Sequence, residues 1–184
     1  MTATPLICHG TSAPVVPWQL DAGVDPVRDG LLRFHYSLRG DLSRLRLPAA
    51  AAGERRDGLW RHTCFEAFIR GGDGQRYLEL NFSPSACWAF YAFDAYREGM
   101  RSPPADPPVT VSTQVGENVL SLNAAVPVAV LRAVLPMSGL RVALTAVVED
   151  DAGQHTWWAL AHAPGKPDFH HDAGFVMSLE GIHP

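Results

Sequence analysis

Charge is scarce in this chain. Of its 184 residues 18% are charged, and 15 Lys and Arg against 19 Asp and Glu leave a formal net charge of −4. That shortage of basic residues removes the electrostatic footprint of nucleic-acid binding and of attachment to an anionic membrane surface. Cysteine is rarer still: Cys8, Cys64 and Cys87 form no metal-type pair and leave at least one thiol unpaired, which suits a reducing compartment rather than a disulfide scaffold. No apolar run reaches the roughly 20 residues of a membrane-spanning helix. Residues 1–16 lack the basic start of a secretory signal and are broken by Pro5, His9, Gly10 and Pro14, so the expected location is the cytoplasm unless a leader was removed. Helical periodicity is nearly missing too. It is convincing only over residues 127–135, where proline opens the stretch and Val128, Leu131 and Leu135 share a face.

What the chain has in quantity is apolar residues, 47% of the total, and they recur with a period of two. Its length suits one domain, 1–184, with residues 1–29 read as a partly irregular, proline-rich arm holding at most one strand near 15–20. In residues 30–39 Leu32, Phe34, Tyr36 and Leu38 alternate with Arg33, His35, Ser37 and Arg39, a half-buried strand with His35 toward solvent. Residues 42–47 read as a second strand, 87–96 alternate loosely, and four prolines in 102–108 mark a loop. Strands are expected over 109–115, 119–126, 140–148, 155–162 and 174–179. Short intervals and almost no helix predict an all-β fold, an antiparallel β-sandwich of the immunoglobulin-like or jelly-roll type with one short helix.

The polar exception lies between residues 57 and 97. Residues 64–69 and 77–82 bracket a glycine-rich segment and predict a hairpin. His62, Cys64, Glu66 and Phe68 then share one face, and Tyr77, Glu79 and Asn81 share the matching face of the second strand. A turn centred between Gly72 and Asp73 sets Glu66 opposite Glu79 and Cys64 opposite Asn81. Facing carboxylates repel unless a cation, a donor or a shared proton intervenes. The plain alternative is a solvated face on which such glutamates do nothing. With Trp60 entering this face, carboxylates and an amide beside an indole match what a sugar needs: acceptors and donors for its hydroxyls and an aromatic plane for its C–H surface. The same pair of glutamates would also suit a retaining glycosidase, whose carboxyl groups lie about 5–5.5 Å apart.

A second group of candidates lies late in the chain. In residues 155–162, HTWWALAH, Trp157 and Trp158 point to opposite faces, so one packs in the core and the other is free for a ligand; His162 shares the Trp158 face. Asp168, His170, His171 and Asp172 offer metal-ligand chemistry, but their spacing matches no specific zinc or calcium pattern, and a solvated histidine-rich loop is the plainer reading. Cys64 with His62 or His162 could form a thiol dyad, although a cysteine inside a strand usually behaves as a small buried hydrophobe. Residues 71–74, Gly-Gly-Asp-Gly, open no helix and read as a turn, not a phosphate cradle.

Taken together, residues 59–66 (LWRHTCFE), 79–84 (ELNFSP), 96–100 (YREGM), 158–162 (WALAH) and 167–170 (PDFH) resemble the bacterial DOMON-like domain proteins, which are distantly similar to the family nine carbohydrate-binding modules. The resemblance implies a β-sandwich. In those modules a tryptophan ahead of a strand and a glutamate six residues later contribute to a sugar site, a spacing that Trp60 and Glu66 hold. A second, later tryptophan completes an aromatic sandwich, for which Trp157 and Trp158 are the available matches. Calcium, structural in that family, stays open because Thr63 stands where an aspartate often precedes the glutamate. Other DOMON domains hold haem through Met and His, yet nothing in the spacing of Met100, Met137 and Met177 singles out an axial pair. The expectation is therefore a domain that binds a small saccharide or polyol without catalysis, through Trp60, His62, Glu66, Tyr77, Glu79, Asn81, Trp157, Trp158 and His162. The rivals are a glycosidase-like or lyase-like enzyme using the paired glutamates and a haem-binding domain. Nucleic acid and membrane are not expected partners.

Overall fold

The period of two is realised as strands. The computed structural model describes residues 3–179 apart from 13, 15 and 73, and within them the chain forms β1 (Thr4–Cys8), β2 (Gln19–Arg28), β3 (Leu31–Arg39), β4 (Cys64–Arg70), β5 (Tyr77–Phe82), β6 (Trp88–Phe93), β7 (Thr110–Val115) and β8 (Val119–Pro127). A five-residue helix, α1 (Val128–Arg132), leads to β9 (Leu140–Glu149), β10 (His155–Ala159) and β11 (Met177–Leu179). The described strands pair antiparallel in the order β6-β5-β4-β9-β10-β1-β2-β3-β8-β7. β10 and β11 share one edge of β9, pairing at Thr145–Glu149 and Leu140–Val142 respectively. β1 joins the halves of this ribbon: Thr4 to Leu6 pair with β2, while Ile7 and Cys8 pair with β10.

The ribbon folds back on itself because each half has one continuous apolar face. Leu32, Phe34, Tyr36 and Leu38 of β3 are buried against Phe65, Ala67 and Ile69 of β4 and Leu78, Leu80 and Phe82 of β5. Phe34 meets Phe82 with ring centroids 5.5 Å apart, Tyr36 meets Phe65 at 5.1 Å, and the Tyr36 hydroxyl donates to the Glu66 carbonyl at 2.7 Å. Each large side chain buried in this way stabilises the fold by about 1.5–3 kcal/mol.

Several sequence expectations are corrected. The proline-rich arm supplies both β1 and β2, because Pro26 falls at a register break between Asp25 and Arg28, where no ladder N–H is needed. The arm's expected strand begins at Gln19; Val15, like Asp73, lies outside the described residues. Residues 42–47 do not form a strand. The Asp41 carboxylate accepts from the Ser43 N–H at 3.0 Å and nucleates a 3₁₀ turn over Leu42–Arg44, which leaves Leu45 with a single bridge to Asp150. His35 is buried instead of solvent-facing, since its ring lies over its partner Gly23, where a Cβ would collide with it.

The central hairpin differs in register. Glu66 pairs with Asn81 and Phe68 with Glu79, two residues from the expected alignment, because Gly72 donates its N–H to the Ser138 carbonyl at 3.1 Å and the loop runs through residues 71–76. A shift of two preserves the faces, so Glu66, Glu79 and Asn81 still point the same way. That face is not solvated. β5 and β6 are buried throughout, and β4 everywhere but Arg70, because a second apolar cluster of Phe68, Tyr77, Tyr91, Phe93, Ala143 and Phe175 lies on the outer side of the sheet. The segment that covers it is held by Arg141 Nε donating to the Phe175 carbonyl at 3.1 Å, by Arg70 over the Phe175 ring, and by an Arg70–Asp172 ion pair.

Candidate functional site

Register alone places the polar side chains. Across the outer face one row of the ladder reads Tyr91, Glu79, Phe68 and Ala143; the next reads Ala89, Asn81, Glu66 and Thr145; the third places Cys64 beside Val147 and Trp157. Glu66 and Glu79 are thus diagonal neighbours instead of facing each other. Two additions make this face concave. The 3₁₀ turn Leu59–Arg61 brings Trp60 over one side, and residues 97–100 with 167–170 bring Arg97, Met100, Pro167, Phe169 and His170 over another. The result is a cleft of about 410 Å³ whose lining also includes Glu66, Phe68, Glu79, Tyr91, Phe93, Val147 and Trp157.

The carboxylates of the floor are far from their solution state. Glu66 is 2% exposed; its Oε2 accepts from Thr145 Oγ1 at a long 3.4 Å and its Oε1 has no partner. Burial first, and the neighbouring Glu79 second, hold the Glu66 carboxyl protonated well above the usual carboxylate range. Glu79 is raised as well, again chiefly by burial, although Asn81 Nδ2 donating to its Oε1 at 2.8 Å and the charge of Arg97 oppose the shift. Such a pair favours holding a proton between its members. Beside it the Cys64 thiol is pushed up by burial and by Glu66, so it stays a thiol and not a nucleophilic thiolate.

The basic side chains nearby, His170 and Arg97, are already committed to other partners. His170 Nδ1 lies 2.8 Å from the Tyr77 hydroxyl, which in turn accepts the Arg97 backbone N–H at 3.1 Å; this bond fixes Arg97 in a left-handed conformation at φ 55°. Burial, then Arg97, push the His170 pKa down to about 4, so the ring is neutral at neutral pH and its 3.8 Å approach to Glu79 Oε2 is no ion pair. The Arg97 guanidinium donates to Asp168 Oδ1 at 2.8 Å, and the Tyr96 hydroxyl donates to Asp168 Oδ2 at 2.5 Å. Partial burial works to raise the Asp168 pKa, but these two donors outweigh it and hold the carboxyl below its ordinary value. Asp168 thereby clasps the loop after β6 to the segment that carries Phe169 and His170.

Of the residues singled out from sequence, Trp60, Glu66, Glu79 and Trp157 line the cleft, and Asn81 lies beneath it, fully buried. The others are placed elsewhere. Tyr77 stacks on Phe93, with centroids 4.7 Å apart, and supports His170 without lining the cleft. His62 precedes β4 and bonds Glu149 Oε2 at 2.8 Å, outside the cleft. Trp158 points into the core, its indole N–H donating to Thr156 Oγ1 at 2.9 Å. His162 lies past the end of β10, where alternation no longer applies, and its Nε2 is 2.7 Å from the Ile7 carbonyl oxygen. Among the lining residues not expected at the sugar site, Tyr91 and Phe93 follow from the alternation of β6 once it is paired with β5; Arg97, Phe169 and His170 lie in the segments 96–100 and 167–170 that carry the resemblance, and His170 had been weighed only as a metal ligand. Thr63 Oγ1 donates to the Arg46 carbonyl and accepts from the Glu149 N–H, and among the described residues no three His, Cys, Asp or Glu side chains gather as a metal-binding group, so Asp168, His170, His171 and Asp172 do not form one.

No family model and no curated protein matches this chain by sequence. Solved structures match it in fold. A candidate carbohydrate-binding protein from Bacteroides uniformis superposes with a TM-score of 0.67 at 15% identity over 95% of this chain and 84% of its own. A family nine carbohydrate-binding module from Caldicellulosiruptor kristjanssonii, in complex with cellotriose, superposes at 0.51 with 8% identity, over 87% of this chain and 74% of the module. At these identities the likeness is one of fold.

Proposed function

We propose that this chain is a non-catalytic binding domain for a small saccharide or polyol, seated in the cleft between Trp60 and Trp157. The observation that carries the reading is Glu66 Oε1: a buried acceptor without a partner, in a cleft whose walls are aromatic. Sugars present C–H faces to aromatic planes and hydroxyl donors to carboxylate oxygens, and the cleft volume lies within the range of about 300–1,000 Å³ typical of small-molecule sites. The fold likeness to a sugar-binding module supports the same reading, as does the sequence resemblance to DOMON-like proteins; the folded ribbon is read accordingly as a β-sandwich. Binding is favoured over glycoside hydrolysis because Glu66 and Glu79 sit side by side on one face, whereas hydrolysis needs carboxyl groups flanking the scissile bond.

Thermal unfolding against a panel of mono- and disaccharides tests this. A ligand at a hundredfold excess over its Kd stabilises the folded state by about 2.7 kcal/mol. The expected result is a shift with one sugar class, lost in Trp60→Ala, whose half-exposed indole contributes little to the fold. No shift with any sugar overturns the proposal.

A further inference from the structure

The two floor carboxylates say more about the ligand than a hydroxyl requires. A neutral sugar would supply Glu66 Oε1 with one donor and leave the two adjacent carboxyl groups dependent on the proton they hold, since both cannot ionise side by side without a cation. The groups around the pair replace that proton only in part: Asn81 and the charge of Arg97 favour an ionised Glu79, and neither is a partner of Glu66 Oε1. Arg97 donates to Asp168 and lies over the Tyr96 ring, His170 turns Nδ1 to Tyr77 and keeps Nε2 3.8 Å from Glu79, and the Tyr91 hydroxyl donates to Asp57 at 2.7 Å. Cys64 lies on the same face as a neutral thiol directed at Asn81 Oδ1, and of the two glutamates Asn81 reaches only Glu79. The site thus has two acidic groups in want of a positive charge beneath the rings of Trp60, Trp157, Tyr91 and Phe93.

We propose that the ligand of this cleft carries a protonated primary amine, as an amino sugar does, and that its ammonium group is seated against Glu66 and Glu79 under the aromatic walls. The inference rests on the saccharide reading and deepens it. An ammonium brings three donors, enough to satisfy Glu66 Oε1 and reach Glu79 together, and its charge lets both carboxylates ionise. The faces of the surrounding rings attract the same cation. Because binding then displaces the proton that the pair holds, uptake of the amine is coupled to proton release.

Isothermal titration of the full chain with glucosamine and galactosamine, against glucose, galactose and N-acetylglucosamine, decides it at a mildly acidic pH that keeps the sugar amine charged. The amino sugars are expected to bind at least about tenfold more tightly than the neutral ones, the scale of a charge-assisted contact. Their heats should depend on the ionisation enthalpy of the buffer, reporting released protons. Glu66→Gln, close to isosteric, should abolish the preference for the amine and the buffer-dependent heat; Glu79→Gln should weaken both. Neutral sugars binding as tightly as amino sugars would overturn this inference and leave the saccharide reading standing. Binding by neither class overturns both.

Discussion

Replacing Glu66 by glutamine should make the protein more stable at neutral pH. The variant keeps the shape of a side chain that is 2% exposed and keeps an acceptor for Thr145 Oγ1, while it removes a charge that burial and Glu79 both disfavour. An unfolded glutamate titrates near about 4.3, and the native carboxyl titrates higher, so the native state binds the extra proton between the two values. The parent protein therefore loses stability as pH rises from about 4.3 through that raised native value, and the loss is complete above it. Glu66→Gln does not pay this penalty. Its expected advantage at neutral pH comes from the ionisation it avoids, about 1.4 kcal/mol for each pH unit by which the native carboxyl is displaced, or about 2–4 °C of Tm for each kcal/mol in a chain of this size. The advantage should shrink below about pH 4, where parent and variant are both uncharged at this position. Urea unfolding of both proteins across this pH range checks it. A variant less stable than the parent at neutral pH, or one whose advantage is the same at every pH, would refute the assignment of Glu66 as a destabilising buried acid.

The adjacent tryptophans should separate cleanly. Trp158→Ala is expected to cost about 3–5 kcal/mol by emptying core volume, while Trp157→Ala should cost about 1 kcal/mol or less and remove sugar-induced stabilisation, both read in thermal unfolding with and without ligand. Tyr36→Phe deletes a buried 2.7 Å hydrogen bond to the Glu66 carbonyl and should lower stability by about 1 kcal/mol in urea. Asp168→Asn should loosen the loop after β6, seen as faster amide exchange over residues 95–101. Because the Asp168 pKa is lowered by its donors, the protection it gives is present above the ordinary aspartate value and fades as pH falls through its native one. In the asparagine variant the loop's exchange should lack that acid dependence.

The sequence by itself determined which side chains share a face. Alternation is a property of neighbouring residues, and it survives any even shift of register; hence Glu66, Glu79 and Asn81 stand together although the hairpin pairs two residues away from the expected alignment. The β-rich fold was legible for the same reason. The proline-rich start was not, because a bulge can absorb Pro26 in a way that no local pattern announces. Nor was the environment of the polar face. Tyr77 and His170, or Tyr96 and Asp168, meet across 93 and 72 positions of chain, and such contacts leave no mark in either local sequence. The tertiary structure alone decided that a second apolar layer covers this face, that His62 and His162 stand apart from the cleft, and that two glutamates compatible with a wet surface are buried instead. Burial sets the cost of their charge, and burial depends on what the distant chain packs against them.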